Sequence, residues 1–268
     1  MEKESLWKKS LVWKLLFISL ISWAVLALVF GFLDLQISIS IVDNTNPFGI
    51  FGADYGEGPG WGIFGVALVV LIGSAFSNVN RQKIPGYILM GIAIVALVVG
   101  FIIDSEDLLH YGGFIGFSIL GFVIFTKNHD WRKYRNLALI VVLLFVINPA
   151  LFVTGTKPLF GRVRFRNLTP PLYPEYTPWF APPWLDLENL SFPSGHTAMG
   201  WMLLPLMIPL RNKEIWIKIT GSVLILGWGF FVGFSRILVG AHYASDVLFS
   251  TGVAVVVVIL LYKKYYLK

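Results

Sequence analysis

Three short segments in the second half of the chain carry side chains suited to phosphoryl transfer. The first pairs Lys157 with Arg164, a point charge and a planar fork that both match phosphate oxygens. The second is Phe192-Pro193-Ser194-Gly195-His196. Ser194 is a good helix N-cap there, and Gly195 lets the backbone come close to a ligand. The free N–H groups of a helix start favour an anion, and His196 places a titratable proton donor beside it. The third segment is Ser235-Arg236 followed by His242 and Asp246. His242 and Asp246 stand at i and i+4, so on a helix they share a face. A carboxylate bonded to one imidazole nitrogen leaves the other as nucleophile or base. Each segment alone has an ordinary reading: a capped helix start, a structural His–Asp pair, cations resting on headgroups. Together they supply charge for the oxygens, a nucleophile and an acid, which is what phosphoryl transfer without a metal needs.

The elements that must position these residues are membrane helices. The chain has 268 residues, of which 56% are hydrophobic and 13% charged. A soluble domain is about a quarter charged, so the chain falls in the membrane class. Eight stretches approach the apolar length of a membrane span: Leu11–Leu33, Trp61–Val79, Pro85–Ile103, Leu109–Phe125, Asn136–Val153, Thr197–Leu210, Ile219–Phe234 and Val247–Tyr262. The sixth and eighth are the shortest by apolar count. The first is longer than a signal-peptide core and lacks a small-residue cleavage site, so it reads as an uncleaved anchor.

Charge orients these spans. Lys3, Lys8, Lys9, Arg81, Lys83, Lys127, Arg132, Lys133, Arg135, Arg211, Lys213, Lys218, Lys263, Lys264 and Lys268 fall at the termini and in every second connection. Those segments are cytoplasmic by the positive-inside rule. Most carboxylates, including Asp34, Glu57 and Asp246, fall on the other side, where only Lys157, Arg162, Arg164, Arg166 and Arg236 are basic. The expected fold is therefore all-α, a polytopic bundle of about eight helices, multi-pass in the cell membrane with both termini cytoplasmic. The three segments then share the extracytoplasmic face.

Other features read as structural. Leu35–Gly60, rich in glycine and proline, and Phe165–Ser191, rich in proline and aromatics, are expected to be outer loops. The aromatics of the second suit a loop at the headgroup level. Gly112/Gly116 and Gly229/Gly233 suggest close helix packing, and Asn148-Pro149 a kink. Arg162 and Arg166 are accounted for by pairing with outer carboxylates or lipid headgroups. His110, beside Asp104, Glu106 and Asp107, reads as a surface residue, and His129 as a solvated one. The absence of cysteine removes thiolate chemistry and cysteine-based metal sites.

In order and internal spacing the three segments resemble the tripartite signature of the type 2 phosphatidic acid phosphatase superfamily, Lys-x6-Arg-Pro, Pro-Ser-Gly-His and Ser-Arg-x5-His-x3-Asp. One position departs: Phe165 follows Arg164 where the signature has proline. That bears on loop geometry and substrate choice but removes no catalytic group. The resemblance implies a six-helix phosphatase core over residues 85–268, with the two spans of residues 1–84 as an addition. It implies that His242 attacks phosphorus and becomes a phosphohistidine, with Asp246 holding it. His196 would protonate the leaving oxygen and then activate water. Lys157, Arg164, Ser194, Gly195 and Arg236 would bind the phosphate oxygens. The resemblance further implies no metal and no cofactor, and inhibition by vanadate.

The expected function is hydrolysis of a membrane lipid phosphate: phosphatidic acid, phosphatidylglycerol phosphate or a polyprenyl diphosphate. A site at the membrane surface receives a headgroup while the tail stays in lipid. The partners are that substrate and the bilayer, with no nucleic acid and no obligate protein partner. The alternatives are a phosphatase for a soluble ester or a lipid phosphotransferase with the same site. From another class, the chain would be a non-catalytic phospholipid-binding or transport protein.

Overall fold

The structure is a computed structural model that describes residues 2–267, with side chains from Ser10 onward. The side chains of Lys3, Lys8 and Lys9, and all of Lys268, lie outside the described residues. All regular structure among the described residues is helical. Helix α1 is Glu2–Ile41, α2 Pro47–Tyr55, α3 Gly58–Gly73, α4 Ile84–Ile102, α5 Glu106–Phe125, α6 Arg135–Phe145 and α7 Thr154–Phe160. A π-helical stretch, Val146–Val153, joins α6 to α7. Then follow α8 Gly195–Gly200, a 3-10 stretch Trp201–Leu206, α9 Met207–Leu210, α10 Ile215–Leu238 and α11 Ala244–Tyr266.

Seven of the continuous helical segments are long and apolar enough to cross a membrane. The sixth expected span, Thr197–Leu210, is not among them because its composite winding, continuous through α8, the 3-10 stretch and α9, covers only the 16 residues Gly195–Leu210. Winding matters to its reach. Its 6 residues in 3-10 form rise about 2.0 Å each rather than 1.5 Å, so the whole extends about 27 Å against a core of about 30 Å.

The segment Leu35–Gly60 corrects a sequence expectation. It is largely helical: α1 continues to Ile41, and α2 and α3 form one bent span, Pro47–Gly73. The Asn46-Pro47 pair that reads as a turn is a helix start. The Asn46 side chain accepts from the amides of Phe48 and Gly49, and Pro47 occupies the first turn, where its missing N–H costs nothing. The glycines Gly52, Gly56 and Gly60 lie four apart and face neighbouring helices. A Cβ at Gly56 would meet Val232 of α10, and one at Gly60 would stand 2.3 Å from the Met199 carbonyl of α8.

Phe165–Ser191 is irregular after a short 3-10 turn at Phe165–Asn167, as its prolines require. Its aromatics divide. Trp179 donates from Nε1 to the Ala27 carbonyl of α1 (2.8 Å), while Trp184, Leu185 and Leu187 stand exposed. Asn148-Pro149 produces the π-helical stretch in place of a simple kink, and Asn148 Nδ2 donates to the Ser250 carbonyl of α11 (3.0 Å). His110 packs against the ring of Tyr55, and no group of three or more metal-ligating side chains occurs among the described residues. His129 is not merely solvated: its ring meets the Tyr134 hydroxyl at 3.0 Å and its carbonyl accepts from Lys83 Nζ.

The core lies between α3, α6, the composite span and α11. Val69, Val70, Ile140, Leu144, Trp201, Met202 and Ala254 are all buried there. Helices α4 and α5 pack beyond α3, and α1 runs along α11, with Trp23 lying over Gly252. The ends of α7, α8, α10 and α11 that carry or adjoin the signature residues gather with the Asp34 end of α1.

Candidate active site

Two left-handed glycines aim the basic residues. Gly161 (φ 58) closes α7, its amide donating to the Lys157 carbonyl (3.1 Å), and turns the chain toward Arg162 and Arg164. Gly240 (φ 63) does the same after α10. The amides of Ala241 and His242 then both donate to the Arg236 carbonyl (3.1 and 3.2 Å), folding His242 back against the helix that carries Arg236.

The His242–Asp246 pair is not the shared helix face its spacing suggests. Helix α11 begins only at Ala244, and Tyr243 is its N-cap. Asp246, three residues after that cap, reaches back to accept from the Tyr243 amide (2.9 Å), the reciprocal half of a capping box. That turn brings its Oδ2 to 3.6 Å from Nδ1 of His242, the residue just before the cap. His242 is 2% exposed, and burial drives its pKa down to about 3, against the raising influence of Asp246. The imidazole is therefore neutral at physiological pH, the state a nitrogen nucleophile requires.

Asp246 is the hub of a buried network. Oδ2 also accepts from the Ser191 hydroxyl (2.6 Å), and Oδ1 from Nη1 of Arg162 (2.7 Å). Arg162 does pair with two of the outer carboxylates, Asp34 and Asp246, but the pairing is fully buried and not at the surface. Its guanidinium donates to Asp34 (3.0 Å), to the Ser245 hydroxyl (2.9 Å) and to the Thr177 carbonyl (2.8 Å), and lies 3.9 Å from the Tyr243 ring centre. Asp34, from α1, also accepts from the amide and hydroxyl of Ser245. A buried charge is stable only when paired and hydrogen-bonded, and this set meets that requirement on both sides.

The charges of Arg236 and Lys157 both bear on the His242 imidazole. Nε of Arg164, Nε of Arg236 and Nδ1 of His242 are buried without a hydrogen-bond partner. Lys157 Nζ lies 3.8 Å from where a Gly195 Cβ would stand, an ordinary contact distance that places the ammonium beside the start of α8. Ser194 caps α8: its Oγ accepts from the amide (3.3 Å) and hydroxyl (2.8 Å) of Thr197 and keeps its own proton to donate. The Ser194 carbonyl accepts from the Ser250 hydroxyl (2.7 Å), and its amide donates to the Asp246 carbonyl (3.2 Å), so the loop is anchored to α11 twice. Cationic donors, a helix start and a neutral imidazole around one point fit a tetrahedral anion.

His196 meets a residue that motif reasoning passed over. Its Nδ1 lies 2.8 Å from Oε1 of Glu57, at the bend between α2 and α3, and the other carboxylate oxygen accepts from Nε1 of Trp61 (3.2 Å). An apolar groove of about 550 Å³ opens beside Lys157, Gly195 and Glu57, walled by Trp61, Phe145, Pro149, Val153 and Met199.

The geometry thus collects all three segments on one face, in the order the resemblance requires. A sequence model of the PAP2 superfamily matches residues 136–268, the part that contains every one of them. Through these residues the chain belongs to the PAP2 superfamily. The undecaprenyl-diphosphatase BcrC of Bacillus subtilis (strain 168) is 40% identical over 75 residues, covering 28% of this chain. The match spans about a third of that relative's length, 35%. No solved structure matches the chain. Asp34, Arg162, Ser191 and Ser245, which pack behind the PAP2 signature, lack a motif of their own. The one available signal was an aspartate inside an otherwise apolar helix, since intramembrane charge has a partner or a function.

Proposed function

We propose that this PAP2 protein hydrolyses the phosphate of a membrane lipid through a phosphohistidine on His242, with no metal ion. The observation that carries the reading is the buried neutral imidazole of His242, on which the charges of Arg236 and Lys157 bear, together with the buried unpartnered Nε of Arg164 and Arg236. Lys157, Arg164, Arg236, the Ser194 hydroxyl and the Gly195 amide hold the phosphoryl oxygens. Nε2 of His242 attacks phosphorus, and the bond to the leaving oxygen breaks as His196 gives that oxygen a proton. Positive charge developing on His242 is met by Asp246. His196, now neutral, takes a proton from water. The resulting hydroxide attacks the phosphohistidine, releasing phosphate and restoring His242.

The apolar groove beside Lys157 supports a lipid over a soluble ester, because an acyl or prenyl chain fits between Trp61, Phe145 and Met199. The name of the BcrC relative favours a polyprenyl diphosphate as the first substrate to try, where the leaving group is a lipid monophosphate. The charge asymmetry of the connections supports a site on the extracytoplasmic face.

The test is phosphate release by purified protein in detergent from undecaprenyl diphosphate, phosphatidic acid, phosphatidylglycerol phosphate and glucose 6-phosphate. Expected is turnover of a lipid that vanadate inhibits and EDTA does not. His242→Ala should reduce the rate by at least about 10³-fold while the protein still inserts, given that general acid–base help alone contributes 10²–10⁴. Strict dependence on a divalent ion, or release by His242→Ala at the wild-type rate, would refute the mechanism.

A further inference from the structure

We propose that Glu57 is the positioning residue for His196, which makes the α2–α3 span a working part of a catalytic centre whose PAP2 signature lies wholly in residues 136–268. The inference rests on the phosphatase reading above and adds a residue to it.

Three independent features converge on the contact. The first is the contact itself: Oε1 of Glu57 lies 2.8 Å from Nδ1 of His196, with both side chains partly buried. A carboxylate on one imidazole nitrogen fixes the ring and leaves the other, Nε2, for proton transfer. The second is that Glu57 is itself held, because Trp61, one turn on, donates to its Oε2. The third is packing. Gly60 allows α3 to press against the Met199 carbonyl of α8, the short helix that carries His196, and Gly56 allows the bend to press against Val232. Larger residues there would push the carboxylate away from the imidazole.

An ion pair with this exposure contributes little to stability. A plain tie between α3 and α8 would be satisfied by any apolar contact, such as the one Gly60 already makes. A carboxylate clamped by an indole and aimed at one nitrogen of the expected proton donor has a narrower use. It holds His196 so that its free nitrogen meets the leaving oxygen.

Leaving-group chemistry separates that role from a structural one. An alkyl phosphate needs a proton on its leaving oxygen, whereas 4-nitrophenolate departs without one. Single-turnover formation of phosphohistidine would be followed with short-chain phosphatidic acid and with 4-nitrophenyl phosphate, in wild type and Glu57→Gln. Expected is a loss of about tenfold or more with the alkyl phosphate and less than about twofold with the aryl phosphate. Glu57→Asp, which keeps the charge but shortens its reach to Nδ1, should show the same selectivity in weaker form, and it serves if Glu57→Gln does not fold. Equal losses with both substrates, or no loss with either, would overturn the role of Glu57. If wild type forms no phosphohistidine from either substrate, the phosphatase reading itself falls, and the two failures are thereby told apart.

Discussion

At the scale of single residues, the controlling quantity is the charge on His242. Burial holds its pKa at about 3, below the ordinary 6.5, so the folded protein binds fewer protons than the unfolded chain between those values. The stability this residue contributes is therefore complete above about pH 6.5 and is lost as pH falls toward 3. We expect the detergent melting temperature to fall between pH 6.5 and about pH 5, and the fall to be shallower in His242→Gln. Identical slopes in the two proteins would show that His242 is not buried and neutral. Asp246 behaves differently because it is shared. Asp246→Asn removes one of two carboxylates from Arg162 and should cost stability as well as rate, read as a lower melting point together with a lower kcat. The signature residues were legible in the sequence because their types are rare on an outer membrane face. Arg162 was not, since a third cation between Lys157 and Arg164 looks like more of the same until its burial is known.

At the scale of elements, glycine patterns carried more than they showed. Gly56-Glu57-Gly58-Pro59-Gly60 has the composition of a loop, yet its glycines at intervals of four are a helix face packed against α8 and α10. Periodicity resolves the ambiguity only when a packing partner is known. Gly60→Ala should force α3 away from the Met199 carbonyl at a cost of about 1–3 kcal/mol, measurable as a lower melting temperature. It should also lower the rate with alkyl phosphates through the displaced Glu57. Unchanged stability would mean that α3 and α8 do not make this approach. The helices around the core were readable from apolar length alone. The composite span was the exception: its length falls short by count, and the 3-10 winding that recovers it leaves no mark in the sequence.

For the whole molecule, the catalytic hub joins the first and last helices. Asp34 supplies both a carboxylate to Arg162 and an acceptor to Ser245, all fully buried. Breaking a buried pair from one side strands the other charge, so Asp34→Ala should destabilise the protein by about 3–5 kcal/mol, with Asp34→Asn milder. Equal melting temperatures for wild type and Asp34→Ala would show that α1 is dispensable to the site.

The partners in that contact, Asp34 and Ser245, stand 211 positions apart in the chain. A ribosome adding about 5–20 residues per second needs on the order of ten seconds or more to travel between them. Throughout that interval Arg162, once made, has neither the Ser245 hydroxyl nor Asp246, and for nearly all of it His242 does not yet exist. On the phosphatase reading proposed above, the site is therefore incomplete during insertion and is assembled only with the arrival of the last helix. On the same reading, a membrane holding partly synthesised chains holds no assembled hydrolytic site.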